Sequence, residues 1–202
     1  MKGIVLLMKI KVKDMILVAL FAALMAIGAR LNVPFVPVPF SMQFPFCILA
    51  GLLLGSRLGA LSQIIYMFIG LVGLPVFTKG GGPGYIFNPT FGYIIGFIAA
   101  SYIVGLLSET AFTKSTVNNG KMPLFGEFDR IFISSFIAML VLYIIGVPYL
   151  YIGMNYFLAI PKNMTINTAI LVGFINFVIP DTLICVLISL IYPKIKNAID
   201  KI

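Results

Sequence analysis

Six apolar runs, separated by short connections, take up most of this 202-residue chain, at about residues 15–31, 44–54, 58–74, 89–107, 130–150 and 168–191. In hydrocarbon a backbone must satisfy its own polar groups, which leaves helices and closed barrels, and about 20 apolar residues make one helical crossing. The pattern therefore predicts an all-α, polytopic membrane protein with six transmembrane helices, forming one integral membrane domain over residues 1–202. Composition agrees, with 61% hydrophobic and 10% charged residues and a mean hydropathy of +1.12; soluble domains carry roughly 25% charged residues. No length remains for a separate soluble domain. The run at 44–54 is short, and the Pro-rich stretch before it is expected to supplement it. Gly55-Ser56-Arg57 joins it to the next run by a turn tight enough to make the two an antiparallel pair. Lys2 and the short apolar stretch after it fall at the lower limit of a signal peptide and lack a small-residue cleavage site, so they are expected to stay as the mature N-terminus.

Charge sets the orientation. With the N-terminus inside, the inner segments carry Lys2, Lys9, Lys11, Lys13, Arg57, Lys114, Lys121, Arg130, Lys194, Lys196 and Lys201, and the outer side carries Arg30, Lys79 and Lys162. This positive-inside bias predicts a multi-pass protein of the cell membrane with both termini cytoplasmic. Residues 1–14, a loop at 108–129 and the tail at 192–202 are then cytoplasmic. The basic residues are spread between apolar segments rather than gathered on a stripe, so the net charge of +8 reports topology and not a nucleic-acid partner.

Several chemistries are excluded by what is missing. There is no histidine, the commonest metal ligand and general base. Cys47 and Cys185 lie far apart inside apolar runs, as small core residues rather than metal ligands or a disulfide. The glycines after Lys79 do not form a phosphate loop, because the lysine precedes them and no Gly-Lys-Ser/Thr follows. Nothing in the sequence supports an enzyme, a metal site or a bound cofactor.

Candidate binding residues collect in the outer loops and in one helix. Loop one (32–43) and loop three (75–89) are rich in Pro, Gly and aromatic residues with few polar tips, which suits backbone folded over a pocket. Asp181 stands well inside the sixth run, where a carboxylate costs roughly 2.5–3.5 kcal/mol even on insertion scales and persists if it faces a cavity or a partner. Pro180 before it frees a carbonyl one turn back. Asn176 lies about 140° round the helix and need not share that face. Lys79 offers an ammonium that could meet a carboxylate ligand or Asp181. Ala19 with Ala23, and Ala22 with Ala26, form small-residue ridges that let another helix approach closely in lipid; Gly92, Gly96 and Ala100 do the same on the fourth run.

Several stretches together resemble the BioY family, the biotin-binding S components of energy-coupling-factor (ECF) transporters. They are Val38-Pro39-Phe40-Ser41-Met42-Gln43, Leu49 to Gly59, Gly70 to Phe77, and Tyr85 to Tyr93 with its Asn88-Pro89-Thr90-Phe91-Gly92. The similarity is dense over about residues 15–107 and looser beyond, where Pro180-Asp181 is the landmark. The resemblance implies an S-component-like bundle of six helices and high-affinity capture of biotin from outside as the transported ligand. It also implies docking of the Ala19/Ala23 and Ala22/Ala26 ridges on a transmembrane T component coupled to two ATPases. Within it, Asp181 would accept from a ureido N–H, Gln43, Thr78 and Asn88 would address the carbonyl or carboxylate, and Phe77 and Tyr85 would wall the bicycle. Where relatives often carry a lysine one turn after the aspartate, this chain has Ile184, and Lys79 is expected to supply the missing charge. Two other readings share the features: an S component for a different vitamin, since fold does not fix substrate, and a self-sufficient carrier using Asp181 for proton coupling.

Overall fold

The computed structural model describes residues 11–117, 126–158 and 164–199. Lys2, Lys9, Lys121, Lys162 and Lys201 of the orientation count lie outside the described residues. Among the described residues, five helices are long and apolar enough to cross a membrane: Val12–Arg30, Gln43–Leu71, Phe91–Thr110, Glu127–Phe157 and Ile166–Asn197. The named elements are α1 (Val12–Arg30), β1 (Asn32–Val33), β2 (Phe40–Ser41), α2 (Gln43–Leu71), α3 (Phe91–Val117), α4 (Glu127–Ile152), α5 (Ile166–Ile170) and α6 (Asn176–Ile199). A π-helical turn, Gly153–Phe157, continues α4, and another, Leu171–Ile175, joins α5 to α6.

The second and third apolar runs are both inside α2, which reverses at one residue. Gly55 has φ 82° and ψ 175°, a conformation open essentially to glycine alone. Beyond it the chain returns along itself: Gln43 Nε2 donates to Tyr66 Oη at 2.8 Å, and a Cβ on Gly59 would lie 2.7 Å from Gly51 Cα. In a straight helix the Gly51 and Gly59 Cα atoms would be about 12 Å apart. The arms, 43–54 and 56–71, are therefore antiparallel, and no loop intervenes because Ser56 already begins the return. Glu109 caps that return arm, with its Oε1 accepting from Ser56 N at 2.8 Å. The short first arm, about 18 Å long, is topped by a two-residue hairpin in which Asn32 faces Ser41 and Val33 faces Phe40.

Helix ends overrun the apolar runs. α3 continues to Val117 and α6 to Ile199, so 108–117 and 192–199, expected to fall in the loop 108–129 and the tail 192–202, are helical. Hydropathy marks the stretch suited to lipid; the backbone hydrogen bonds carry on past it.

Pairwise contacts fix which ends meet. Gly105 lies against Ser56, Gly92 against Tyr149, Gly96 against Leu142, and Gly146 against Tyr93, so α3 runs antiparallel to the second arm of α2 and to α4. Tyr192 Oη donates to the Leu52 carbonyl at 3.2 Å, placing α6 parallel to the first arm. One end of the bundle thus gathers Lys11, Lys13, Arg57, Glu109, Glu127, Asp129, Arg130, Lys194 and Lys196. The other carries Arg30 and Lys79, with the loops after α1, α2 and α4.

Candidate functional site

At the sparsely charged end, loop one, the start of α2, loop three, the start of α3, the end of α4 and the start of α6 enclose a cavity of roughly 600 Å3 when its open mouth is included. Its apolar walls are aromatic and aliphatic: Phe40 and Phe44 on the α1–α2 side, Ile94 and Phe97 on α3, Leu142 on α4 and Phe177 on α6. Phe40 and Phe177 stack with ring centroids 6.1 Å apart and nearly parallel planes, joining loop one to α6. Among the described residues, Asp181 is the one charged residue in the lining.

Three groups of polar side chains face this space. In the first, Ser41 Oγ donates to Gln43 Oε1 at 3.0 Å, Gln43 Nε2 to Tyr66 Oη at 2.8 Å, and Tyr66 Oη to the Val76 carbonyl at 3.2 Å. In the second, the Thr78 and Tyr85 hydroxyls are 3.2 Å apart and those of Tyr85 and Thr90 3.5 Å apart. Asn88 Oδ1 anchors this group by accepting from both Thr90 N at 3.0 Å and Thr90 Oγ1 at 2.8 Å. In the third, the Tyr143 hydroxyl donates to Asp181 Oδ2. The Tyr143 ring is held between Phe174 and Tyr93, with centroids 4.9 Å and 6.3 Å away.

Local backbone explains why Asp181 arrives here. The π-turn before α6 exposes the Gly173 carbonyl, which accepts from Tyr93 Oη at 2.8 Å. Pro180 contributes no N–H to the next turn. The helix is therefore tied to α3 and α4 by two tyrosine hydroxyls, and Asp181 is 4% exposed. Asn176, by contrast, is exposed on another face.

The residues expected at the site fall into three groups. Asp181, Gln43, Thr78 and Tyr85 line the cavity. Phe77 and Asn88 stand one layer behind it. Phe77 is fully buried against Gly70, with Tyr66 and Tyr85 at 5.5 and 4.5 Å, so it backs the wall rather than forming it. Lys79 is at the exposed rim. Phe77 and Gly80 exchange backbone hydrogen bonds, a reversal that Gly80 completes at φ 122°, and the lysine at its tip donates to the Pro37 carbonyl at 3.1 Å. Arg30 similarly donates to the Pro75 carbonyl. These two cations lace α1, loop one and loop three together.

Tyr143, Tyr66, Thr90, Tyr93, Phe177 and Ser41 were not among the expected residues. Ser41, Thr90 and Tyr93 belong to the stretches that carry the family resemblance, so a signal existed for them. Tyr66 and Tyr143 lie inside apolar runs, where nothing in the sequence separates a lining hydroxyl from core filling.

The small-residue ridges of α1 separate. Ala22 is buried in the core and Ala26 packs partly buried against it, while Ala19 and Ala23 are exposed. The Ala22/Ala26 ridge is thus used within the chain itself.

Fold and cavity define a polytopic helical membrane protein with an apolar-walled small-molecule site at one end of its bundle. The chain matches the BioY family over residues 5–201. It is 37% identical over 182 residues to a probable biotin transporter BioY of Lysinibacillus sphaericus, covering 90% of this chain and 86% of that one. It is 32% identical to the biotin transporter BioY of Thermotoga maritima, covering 92% and 96%. Its fold matches the crystal structure of the S-component for biotin from an ECF-type ABC transporter with a TM-score of 0.65, at 23% identity and over 92% of both chains. This chain belongs to the BioY family.

Proposed function

We propose that this protein captures biotin and carries it across the cell membrane as the S component of an ECF-type ABC transporter. The observation that carries the reading is Asp181, a carboxylate ordered by Tyr143 and set in an otherwise uncharged, aromatic-walled cavity, in a chain whose relatives are named biotin transporters. Biotin's bicycle is apolar apart from its ureido group, which has two N–H donors and one carbonyl. Asp181 would accept from a ureido N–H, a charge-assisted bond of the strong kind. Gln43, with one amide hydrogen uncommitted among the described bonds, would reach the ureido carbonyl.

In this reading the chain crosses the membrane six times, each arm of α2 making one passage, with both termini cytoplasmic. The separation of charge between the two ends of the bundle supports it through the positive-inside rule. The cavity then opens toward the outside. Because the protein has no nucleotide-binding motif, energy would come from two ATPases through a T component. The exposed Ala19/Ala23 ridge is the part of α1 free to dock on that partner.

Calorimetric titration of the purified, ligand-stripped protein with biotin tests the assignment. Tight one-to-one binding is expected; a flat trace, or a different vitamin displacing biotin, would overturn it. Tyr143→Phe removes the donor to Asp181 and is expected to weaken binding about tenfold, the worth of one charge-assisted hydrogen bond. An unchanged affinity would mean that Asp181 is positioned without the tyrosine. Lys79 already donates to Pro37 and lies outside the cavity lining. Lys79→Ala is therefore expected to keep biotin affinity within about fivefold, the reach of one ordinary hydrogen bond. A larger loss would restore the lysine as the substitute for the charge missing at Ile184.

A further inference from the structure

Resting on the biotin reading, we infer that the ligand's carboxylate is received by the neutral hydroxyl cluster of Thr78, Tyr85 and Thr90 and not by a cationic side chain. The first ground is exclusion within the cavity: among the described residues its lining contains one charged group, the carboxylate of Asp181, which repels a second carboxylate and sends that pole of the ligand elsewhere. The cations described at this end, Lys79 and Arg30, are committed outside the lining, Lys79 to the Pro37 carbonyl and Arg30 to the Pro75 carbonyl.

The second ground is a count of donors. Asn88 Oδ1 must accept from the Thr90 backbone N–H, which fixes the orientation of its amide and obliges the Thr90 hydroxyl to donate to the same oxygen. Thr90 is thereby left as an acceptor facing Tyr85 at 3.5 Å. The Thr78 and Tyr85 hydroxyls, 3.2 Å apart, share one hydrogen bond and hold two hydrogens that can rotate. An arriving carboxylate can take both by displacing the Thr78–Tyr85 bond and any bond from Tyr85 to Thr90, bonds between neutral hydroxyls that a charged acceptor outcompetes. The Ser41–Gln43–Tyr66 group has less to give, because the Ser41 and Tyr66 hydrogens are directed at Gln43 Oε1 and the Val76 carbonyl. One amide hydrogen of Gln43 remains, suited to a carbonyl. Phe77, buried behind both Tyr66 and Tyr85, holds the Tyr85 ring where its hydroxyl meets the cavity. The ligand is thus read at two poles, ureido at Asp181 and carboxylate at Thr78 and Tyr85. Asn88 acts as a positioning residue through Thr90.

The test compares biotin with biotinamide, in which a neutral carboxamide replaces the carboxylate, on wild-type protein and on Thr78→Val, Tyr85→Phe and Lys79→Gln. Wild-type protein is expected to prefer biotin. Thr78→Val and Tyr85→Phe are each expected to weaken biotin roughly ten- to hundredfold, as for lost bonds to a charged group, while biotinamide changes by less. Retained biotinamide binding shows that the variants fold, and Thr78→Ser should restore the preference. Lys79→Gln should leave the preference intact. If wild-type protein binds biotin but shows no preference, if the hydroxyl variants keep it, or if Lys79→Gln abolishes it, the inference is overturned and the biotin reading stands. If wild-type protein binds neither compound, both fall.

Discussion

Asp181→Asn is expected to stabilise the ligand-free protein while weakening biotin binding by a factor of ten to more than a hundred. The two effects have opposite signs because the carboxylate is costly to bury and is needed for the ligand. Asp181 is 4% exposed, and Tyr143 supplies a single neutral donor to it. Asparagine removes the cost of burying a charge, and the Tyr143 hydroxyl can still donate to its side-chain carbonyl, so the cavity wall keeps its shape. The charge-assisted bond to the ureido group is lost, worth about 1.5–3 kcal/mol. Thermal unfolding in detergent, with and without biotin, reads both quantities. The expected pattern is a ligand-free midpoint equal to or above wild type, with a reduced upward shift on adding biotin. A lower ligand-free midpoint with unchanged biotin affinity would make Asp181 a structural partner of Tyr143 and remove it from the binding site.

Asp181 was legible in the sequence because a carboxylate inside an apolar run has few physical excuses. Its partner was not. Tyr143 meets Asp181 across 38 positions of chain, and only the antiparallel register of α4 and α6 brings them together. The same holds for Tyr93, whose hydroxyl finds the Gly173 carbonyl because a π-turn releases it. A π-turn has no compositional mark in Leu171–Ile175. The position of Lys79 was illegible for a related reason: the backbone reversal between Phe77 and Gly80 sets its ammonium at the rim, where it donates to the Pro37 carbonyl of loop one. Periodicity showed two small-residue ridges on α1 but not which faced inward, since lipid-facing and core-facing surfaces are equally apolar. The turn at Gly55 was legible from Gly-Ser-Arg. That the two helical arms meet with no loop between them depends on a single backbone conformation, that of Gly55.

Gly59→Leu is expected to prevent the folded state from forming, by prying apart the three segments on which the cavity is built. A Cβ at Gly59 would lie 2.7 Å from Gly51 Cα, 2.9 Å from Gly51 N and 2.8 Å from Ser101 Oγ. Two of those three atoms are backbone and cannot rotate away. Gly51 in turn is pressed against the Ser101 carbonyl, so moving the return arm of α2 also moves the first arm and α3. In lipid no hydrophobic drive holds helices together, and close packing of small residues carries more of the association. The cost is expected at or above the top of the usual overpacking range, about 3 kcal/mol. Gly84→Ala supplies the contrast, since nothing lies within 4 Å of a Cβ there. Size-exclusion profiles and biotin-dependent melting of the two variants decide the matter. Aggregation or loss of ligand-dependent melting for Gly59→Leu, with wild-type behaviour for Gly84→Ala, is the expected result. A Gly59→Leu protein that stays monodisperse and binds biotin normally would show that the arms of α2 and α3 do not meet at this crossing. The hairpin that sets Gln43 and Tyr66 side by side would then have to be redrawn.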